Sequence, residues 1–109
     1  MTIYALSTGP GLSGVAIIRI SGPNTAEILK LLTGRSKFKP RMATLLKINN
    51  INNSELIDEG IIIWFPGPHS YTGEDMAEIH VHGGKAVILA VQREISKINN
   101  CRLAEAGEF

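Results

Sequence analysis

A chain of 109 residues, 44% hydrophobic and 19% charged, has the composition of one small folded domain with room for a modest core. Its net charge of +1 writes no strong overall pull toward nucleic acid or an anionic membrane into the sequence. A lone cysteine, Cys101, excludes an internal disulfide and fits a reducing compartment. No apolar run is long enough to span a bilayer, and residues 1–20 lack the pattern of a signal peptide, so the expected partners include no membrane and the expected compartment is the cytoplasm.

Ile3 to Ser7 reads as a short first strand. Gly9-Pro-Gly11-Leu-Ser-Gly14 matches G-x-G-x-x-G, but a dinucleotide loop must lead into a helix. The next residues, Val15 to Ile20, are β-branched and bounded by Gly22-Pro23, which reads as a strand; the glycines are read as a flexible turn. In this second strand Val15, Ile17, Arg19 and Ser21 share one face, and Ala16, Ile18 and Ile20 the other. Arg19 is a guanidinium within an apolar run, which either snorkels to water from a strand end or finds a partner.

Gly22-Pro23 opens a helix, with Pro near its first position. Ala26, Leu29 and Thr33, beside Ile28 and Leu32, form its apolar stripe, and Gly34 stops it. Arg35, Lys37, Lys39 and Arg41 then make a basic loop around Phe38 and Pro40. Such a loop can touch RNA phosphate; the local sequence reads as a solvated connector. Met42 to Ile48 and Leu56 to Phe65 read as two strands joined by an asparagine-rich turn, Asn49 to Ser54, with Asp58 and Glu59 as edge charges.

Pro66-Gly67-Pro68 stops the fourth strand, since proline cannot donate to a ladder. After a loop holding Tyr71, Thr72 and Gly73, Asp75 to His82 alternates with period 2. Ala77, Ile79 and Val81 point one way; Met76, Glu78, His80 and His82 point the other. Gly83-Gly84 turns the chain into a second helix, Lys85 to Ile98, with Val87, Val91, Ile95 and Ile98 on one side. Cys101 to Ala104 makes a last strand, in which Cys101 is a small apolar residue. The order β-β-α-β-β-β-α-β predicts an α/β (α+β) domain with a mixed, largely antiparallel sheet and two helices on one side.

The face of Glu78, His80 and His82 is either the wet side of a half-buried strand or a place for recognition. A carboxylate at Glu78 can accept two N–H bonds at once, the pattern offered by a 2-amino-pyrimidinone ring such as a pterin. Glu78, His80 and His82 would also give three metal ligands, but Cys101 is distant and His69 sits in a loop, so no metal site is assigned. No serine or cysteine stands in a nucleophile turn. No G-x-x-x-x-G-K-[ST] is present, so GTP cannot be bound here in the P-loop manner.

The run Trp64-Phe-Pro-Gly-Pro-His-Ser-Tyr-Thr-Gly-Glu-Asp-Met-Ala-Glu-Ile-His-Val-His-Gly-Gly84, the opening Gly9 to Gly22 and the closing Arg102-Leu-Ala-Glu-Ala-Gly-Glu-Phe109 resemble, in order, the N-terminal domain of the MnmE (TrmE) family, the tRNA-modification GTPases. The resemblance implies a fold similar to the folate-binding domain of aminomethyltransferases. It implies a ligand, 5-formyl-tetrahydrofolate or a related one-carbon tetrahydrofolate, with Arg19 and Glu78 in the positions of two family contacts. It implies homodimerisation through this domain. In the family, an MnmG/GidA-type flavoprotein is the partner in modifying C5 of the tRNA wobble uridine. That work uses GTP, Mg2+ and K+ in a G domain that this chain does not contain. Residues 1–109 are thus expected to be a single folate-binding and dimerisation domain, cut before the helical and G domains, with no GTPase activity of its own. Two other readings stay open: a dimerisation scaffold with a non-functional ligand site, and a standalone one-carbon transferase domain.

Overall fold

Six strands and two helices succeed one another as β1 (Thr2–Leu6), β2 (Val15–Ser21), α1 (Thr25–Thr33), β3 (Thr44–Asn49), β4 (Leu56–Phe65), β5 (Met76–His82), α2 (Lys85–Ser96) and β6 (Cys101–Leu103). This computed structural model of the chain describes residues 1–7 and 14–109; the turn expected at 9–14 lies almost wholly outside them. The strands form one sheet in the order β3-β4-β5-β2-β1-β6, antiparallel throughout except for the β1–β6 pair. The expected α+β class and mixed sheet are therefore observed.

Strict alternation in β2 and β5 decides which face is covered. Ala16, Ile18 and Ile20 lie across from Val81, Ile79 and Ala77, and all six are buried. Ile62 of β4 and Ile48 of β3 extend the same layer, against which α1 packs Ile28, Leu29 and Leu32 and α2 packs Val91 and Ile95. Both helices thus cover one face. Burying each such aliphatic side chain is worth about 1.5–3 kcal/mol. Gly60 admits β4 to this layer: a Cβ there would stand 2.3 Å from the His80 carbonyl oxygen, so no larger residue fits without moving the strand.

Several boundaries differ from the sequence expectation, each for a local reason. Helix α1 starts at Thr25, so Pro23 stands outside it and Asn24 is its N-cap. The entry is set by one local and one tertiary hydrogen bond instead. Thr25 Oγ1 donates to the Gly22 carbonyl (2.8 Å), and the Asn24 N–H donates to Thr2 Oγ1 (2.8 Å). Gly22, at φ 141°, is needed there, because a Cβ would meet the Thr2 Cα at 2.6 Å. Thr25 is accordingly buried and Ala26 exposed, a departure from the expected stripe in the first turn, while Ile28, Leu29 and Leu32 are buried as expected. Gly34 closes the helix as expected, left-handed at φ 78°. Strand β3 begins at Thr44 rather than Met42, because Arg41 sits at φ 60° and the Met42 N–H turns back to the Lys39 carbonyl. Helix α2 ends at Ser96; the Lys97 and Ile98 N–H groups close a tighter last turn on Glu94 and Ile95.

One charged group lies within the helix layer. Glu94, 2% exposed, accepts the Ile51 N–H at Oε1 (2.9 Å) and the Lys97 ammonium at Oε2 (2.8 Å), fastening the β3–β4 turn to α2. Burial by itself would raise this carboxyl, but the Lys97 and Ile51 hydrogen bonds outweigh it and hold the group below its ordinary 4.5. A lowered folded value means that Glu94 contributes stability above pH 4.5, and loses it as pH falls through the folded value. Glu94→Gln should therefore cost about 2 kcal/mol at pH 7. The difference from the parent should shrink progressively below pH 4.5. Thermal melts across pH 3–7 are the check; a gap independent of pH would contradict this account.

Candidate functional site

The sheet face away from the helices carries the chemistry. Register places Arg19 of β2 directly across from Glu78 of β5, and Glu78 across from Ile63 of β4. Arg19 Nε donates to Glu78 Oε2 at 3.3 Å, so the guanidinium that the sequence left between water and a partner has a carboxylate partner. The other oxygen, Oε1, lies 2.9 Å from His80 Nε2; an ionised carboxylate only accepts, so the ring donates. Glu78 and His80 are half-buried, with side chains 18% and 23% exposed. The two site residues named from sequence are thus brought together, with His80 as a second brace.

Arg19 and Glu78 line a cavity of about 380 Å³ with Phe65, His69, Ser70, Tyr71 and Met76. The wall comes from the loop between β4 and β5, which the proline pair at 66 and 68 drives off the sheet. That loop is tied down at three points. Asp75 Oδ1 accepts the Gly67 N–H (2.9 Å), Ser70 Oγ donates to the Glu74 carbonyl, and Ser21 Oγ pairs with Thr72 Oγ1 (2.8 Å). The covering loop is why Met76 is 3% exposed although it shares the polar face with Glu78. His69, read as a loop residue, lines the cavity with Glu78. No local signal announces this; the sole hint is that a short loop starting and ending on adjacent strands must return over their shared end.

Arg19 also lines a second cavity, of about 430 Å³, with Ala5 and the segment 104–109. Arg102 pairs with Glu108 and pins that segment; its hydrogen bond holds the Glu108 carboxyl down to about 2. At the far end of β5, His82 is not a simple wet-face histidine. Its backbone N–H and ring Nδ1 bond the two oxygens of Asp58 at 2.9 and 2.8 Å. Asp58 is therefore not a solvated edge charge as expected. Partial burial would raise its carboxyl, but the His82 bonds outweigh that and lower it. Glu78 thus holds both Arg19 and His80, while His82 is taken up by Asp58. Among the described residues no group of three or more His, Cys, Asp or Glu side chains is placed to hold a metal ion. Cys101 is half-buried against the core, and burial raises its thiol, in keeping with a packing role. No helix among the described residues is long and apolar enough to cross a membrane.

Comparison with known proteins adds a lineage to this geometry. Residues 2–109 match the family described as GTP-binding protein TrmE N-terminus. The chain belongs to this family. A tRNA modification GTPase MnmE from Pelagibacter ubique (strain HTCC1062) is 69% identical over 109 residues, all of this chain and 25% of the relative. The mitochondrial 5-taurinomethyluridine-[tRNA] synthase subunit GTPB3 of Danio rerio is 51% identical over 108 residues, 99% of this chain and 21% of the relative. An MnmE from Rickettsia bellii (strain OSU 85-389) is 46% identical over 108 residues, 99% of this chain and 24% of the relative. This TrmE N-terminal domain therefore spans about a quarter or less of the curated relatives it matches.

The Ser21–Thr72 bond is the tie between the cavity loop and β2, and Ser21 is 4% exposed. Ser21→Ala should cost about 1 kcal/mol in stability. It should speed cleavage within residues 66–75 under limited proteolysis, because the loop opens locally more often. Equal cleavage rates in variant and parent would show that the loop is held by its other contacts.

Proposed function

We propose that this domain holds the one-carbon tetrahydrofolate of a tRNA-modifying GTPase and pairs with a second copy of itself. The observation that carries the folate part is the Glu78 carboxylate, braced by Arg19 and His80, on a cavity that also presents Phe65 and Tyr71. Each carboxylate oxygen has two lone-pair sites, so both oxygens of Glu78 keep capacity after bonding Arg19 and His80. A pterin ring offers its ring N–H and 2-amino group side by side, matching two such acceptors. The rings of Phe65 and Tyr71 supply flat apolar surface for stacking; Tyr71, 81% exposed, has the freedom to close over a ligand. Arg19 lines both cavities, which supports it as the contact to the ligand's polar edge.

In this reading the ligand is 5-formyl-tetrahydrofolate or a related one-carbon form. The rest of the parent protein would supply GTP, Mg2+ and K+ binding, and act in the cytoplasm with an MnmG/GidA-type flavoprotein on the wobble uridine of tRNA. The names of the relatives, tRNA modification GTPases and a tRNA synthase subunit, support the RNA context.

The scaffold alternative has one observation in its favour: Glu78 is already engaged at both oxygens without any ligand. Calorimetric titration with 5-formyl-tetrahydrofolate separates the two. The parent should bind, and Glu78→Gln, which turns one acceptor into a donor opposing the ring's own N–H, should bind roughly tenfold to a hundredfold more weakly. Arg19→Ala should weaken binding as well. If Glu78→Gln binds like the parent, the assignment of Glu78 falls; if the parent itself does not bind, the scaffold reading takes its place.

The dimer part rests on the face that the helices leave open, where Val15, Leu45 and Ile61 are 49%, 63% and 38% exposed. Aliphatic side chains clustered on one sheet face favour burial against a partner, and a symmetric second copy supplies the same surface. Sedimentation velocity over a concentration series should show a dimer by the high-micromolar range. Monomer throughout would remove this part and leave the folate part standing.

A further inference from the structure

The net charge of +1 is an average over two opposed regions. Residues 28–54 hold six of the eleven Lys and Arg residues (Lys30, Arg35, Lys37, Lys39, Arg41, Lys47) and none of the ten Asp and Glu residues; the remainder of the chain therefore has five against ten. The segment is formally +6 and the rest −5, which is the charge distribution of a protein with one anion-seeking surface. Four of the six cations fall at alternate positions of the loop between α1 and β3, and that loop is exposed from Gly34 to Thr44 apart from Phe38 and Thr44.

Elsewhere three of the five cations are neutralised locally, Arg19 by Glu78, Lys97 by Glu94 and Arg102 by Glu108, and the other two, Lys85 and Arg93, stand eight residues apart on α2. Among the described residues Arg35, Lys37, Lys39 and Arg41 have no carboxylate within ion-pair distance. The loop is nonetheless anchored. Phe38 packs against the core, the Arg35 guanidinium lies 5.6 Å over its ring and bonds the Lys37 carbonyl, and the Arg41 N–H bonds the Trp64 carbonyl. That last bond sets the basic loop beside the end of β4, where the cavity loop departs. A fixed row of unneutralised cations next to a ligand cavity offers electrostatic attraction with little ordering cost.

We infer that the loop 35–41 is a binding surface for the phosphate backbone of RNA, which it holds beside the Glu78 cavity. The charge pattern points to a polyanion; the choice of RNA rests on the function proposed above. Phosphate contacts of this kind give position and affinity without sequence reading.

The test is fluorescence anisotropy with a labelled RNA hairpin, titrated with the full 109-residue chain from about 50 to about 200 mM salt. The parent should bind, with log affinity falling linearly against log salt. Lys37→Gln with Lys39→Gln should lower the magnitude of that slope by about 0.7–0.9 per lysine and weaken binding roughly ten- to fiftyfold near 0.1 M salt. Both lysines are exposed, so the fold should stand. Lys37→Arg with Lys39→Arg should restore parent behaviour, and Lys85→Gln, outside the segment, should change neither slope nor affinity. Absence of binding by the parent, a double Gln variant equal to the parent, or an equal loss from Lys85→Gln overturns the proposal. So does poly-glutamate that competes as well as unlabelled RNA, since the surface would then serve acidic protein. Folate titration of the double Gln variant should match the parent. Failure of the parent to bind folate, with RNA binding intact, would strike the folate reading and leave this surface in place.

Discussion

The register between β2 and β5 is the constraint on which the rest depends. One pairing, Ile18 against Ile79, puts three apolar pairs under the helices. The same pairing puts Arg19 against Glu78 on the open face. Side chains alternate with period 2, so a one-residue slip would send Ile18 and Ile20 to the open side and the guanidinium into the core. Burying an unpaired guanidinium is costly, and so is exposing that many aliphatic side chains. Core and site therefore enforce each other: the packing that fixes the register also fixes the distance between the two charged groups.

The same register divides what was legible in the sequence from what was not. The alternation of β5, the β-branched run of β2 and the left-handed stop at Gly34 are local signals, and the structure keeps them. Arg19 and Glu78 each stand out as a charge within an apolar alternation, and the family resemblance named them as site residues. Their pairing at 3.3 Å could not be named, since it comes from partners 59 residues apart. The misses share that cause. Pro23 looked like a helix start, yet Thr25 is held by the Asp75 carbonyl, 50 residues away, and Asn24 by Thr2, 22 residues away, contacts that no short window of sequence contains. Asp58 looked like an edge charge until β4 came beside β5 and brought His82 to it, 24 residues away. His69 was assigned to a loop, correctly, but where that loop lies depends on tertiary ties such as Ser21 to Thr72. Net charge describes neither half of the chain, because it sums a basic segment and an acidic remainder of nearly equal size.

The bracing of Glu78 cuts both ways for a ligand. Arg19 and His80 hold the carboxylate in one place, so little side-chain freedom remains to be lost on binding. They also draw on the same oxygens that a ring would use. The balance turns on geometry. Arg19 approaches from β2, and His80 lies two residues along β5, so both bracing bonds come from within the sheet. The loop contributes His69, Ser70 and Tyr71 to the cavity wall, and Phe65 joins it from the end of β4. A planar donor entering the cavity would use the lone pairs that Arg19 and His80 leave on the two oxygens.

The same reasoning explains why the open face can carry more than one role without conflict. The aliphatic cluster of Val15, Leu45 and Ile61 lies toward the His82 end of β5, since Val15 is registered with His82 and Ile61 with His80. The cavity lies toward the Met76 end, under the loop that leaves Phe65, and the basic loop joins the sheet at that same end through Trp64. A strand of seven residues is long enough to set the aliphatic cluster and the cavity apart along one axis. Charge repulsion argues for the same division. Two copies brought together through the basic loops would juxtapose uncompensated cations, whereas contact through the aliphatic end keeps both basic loops in solvent and free to meet an anion.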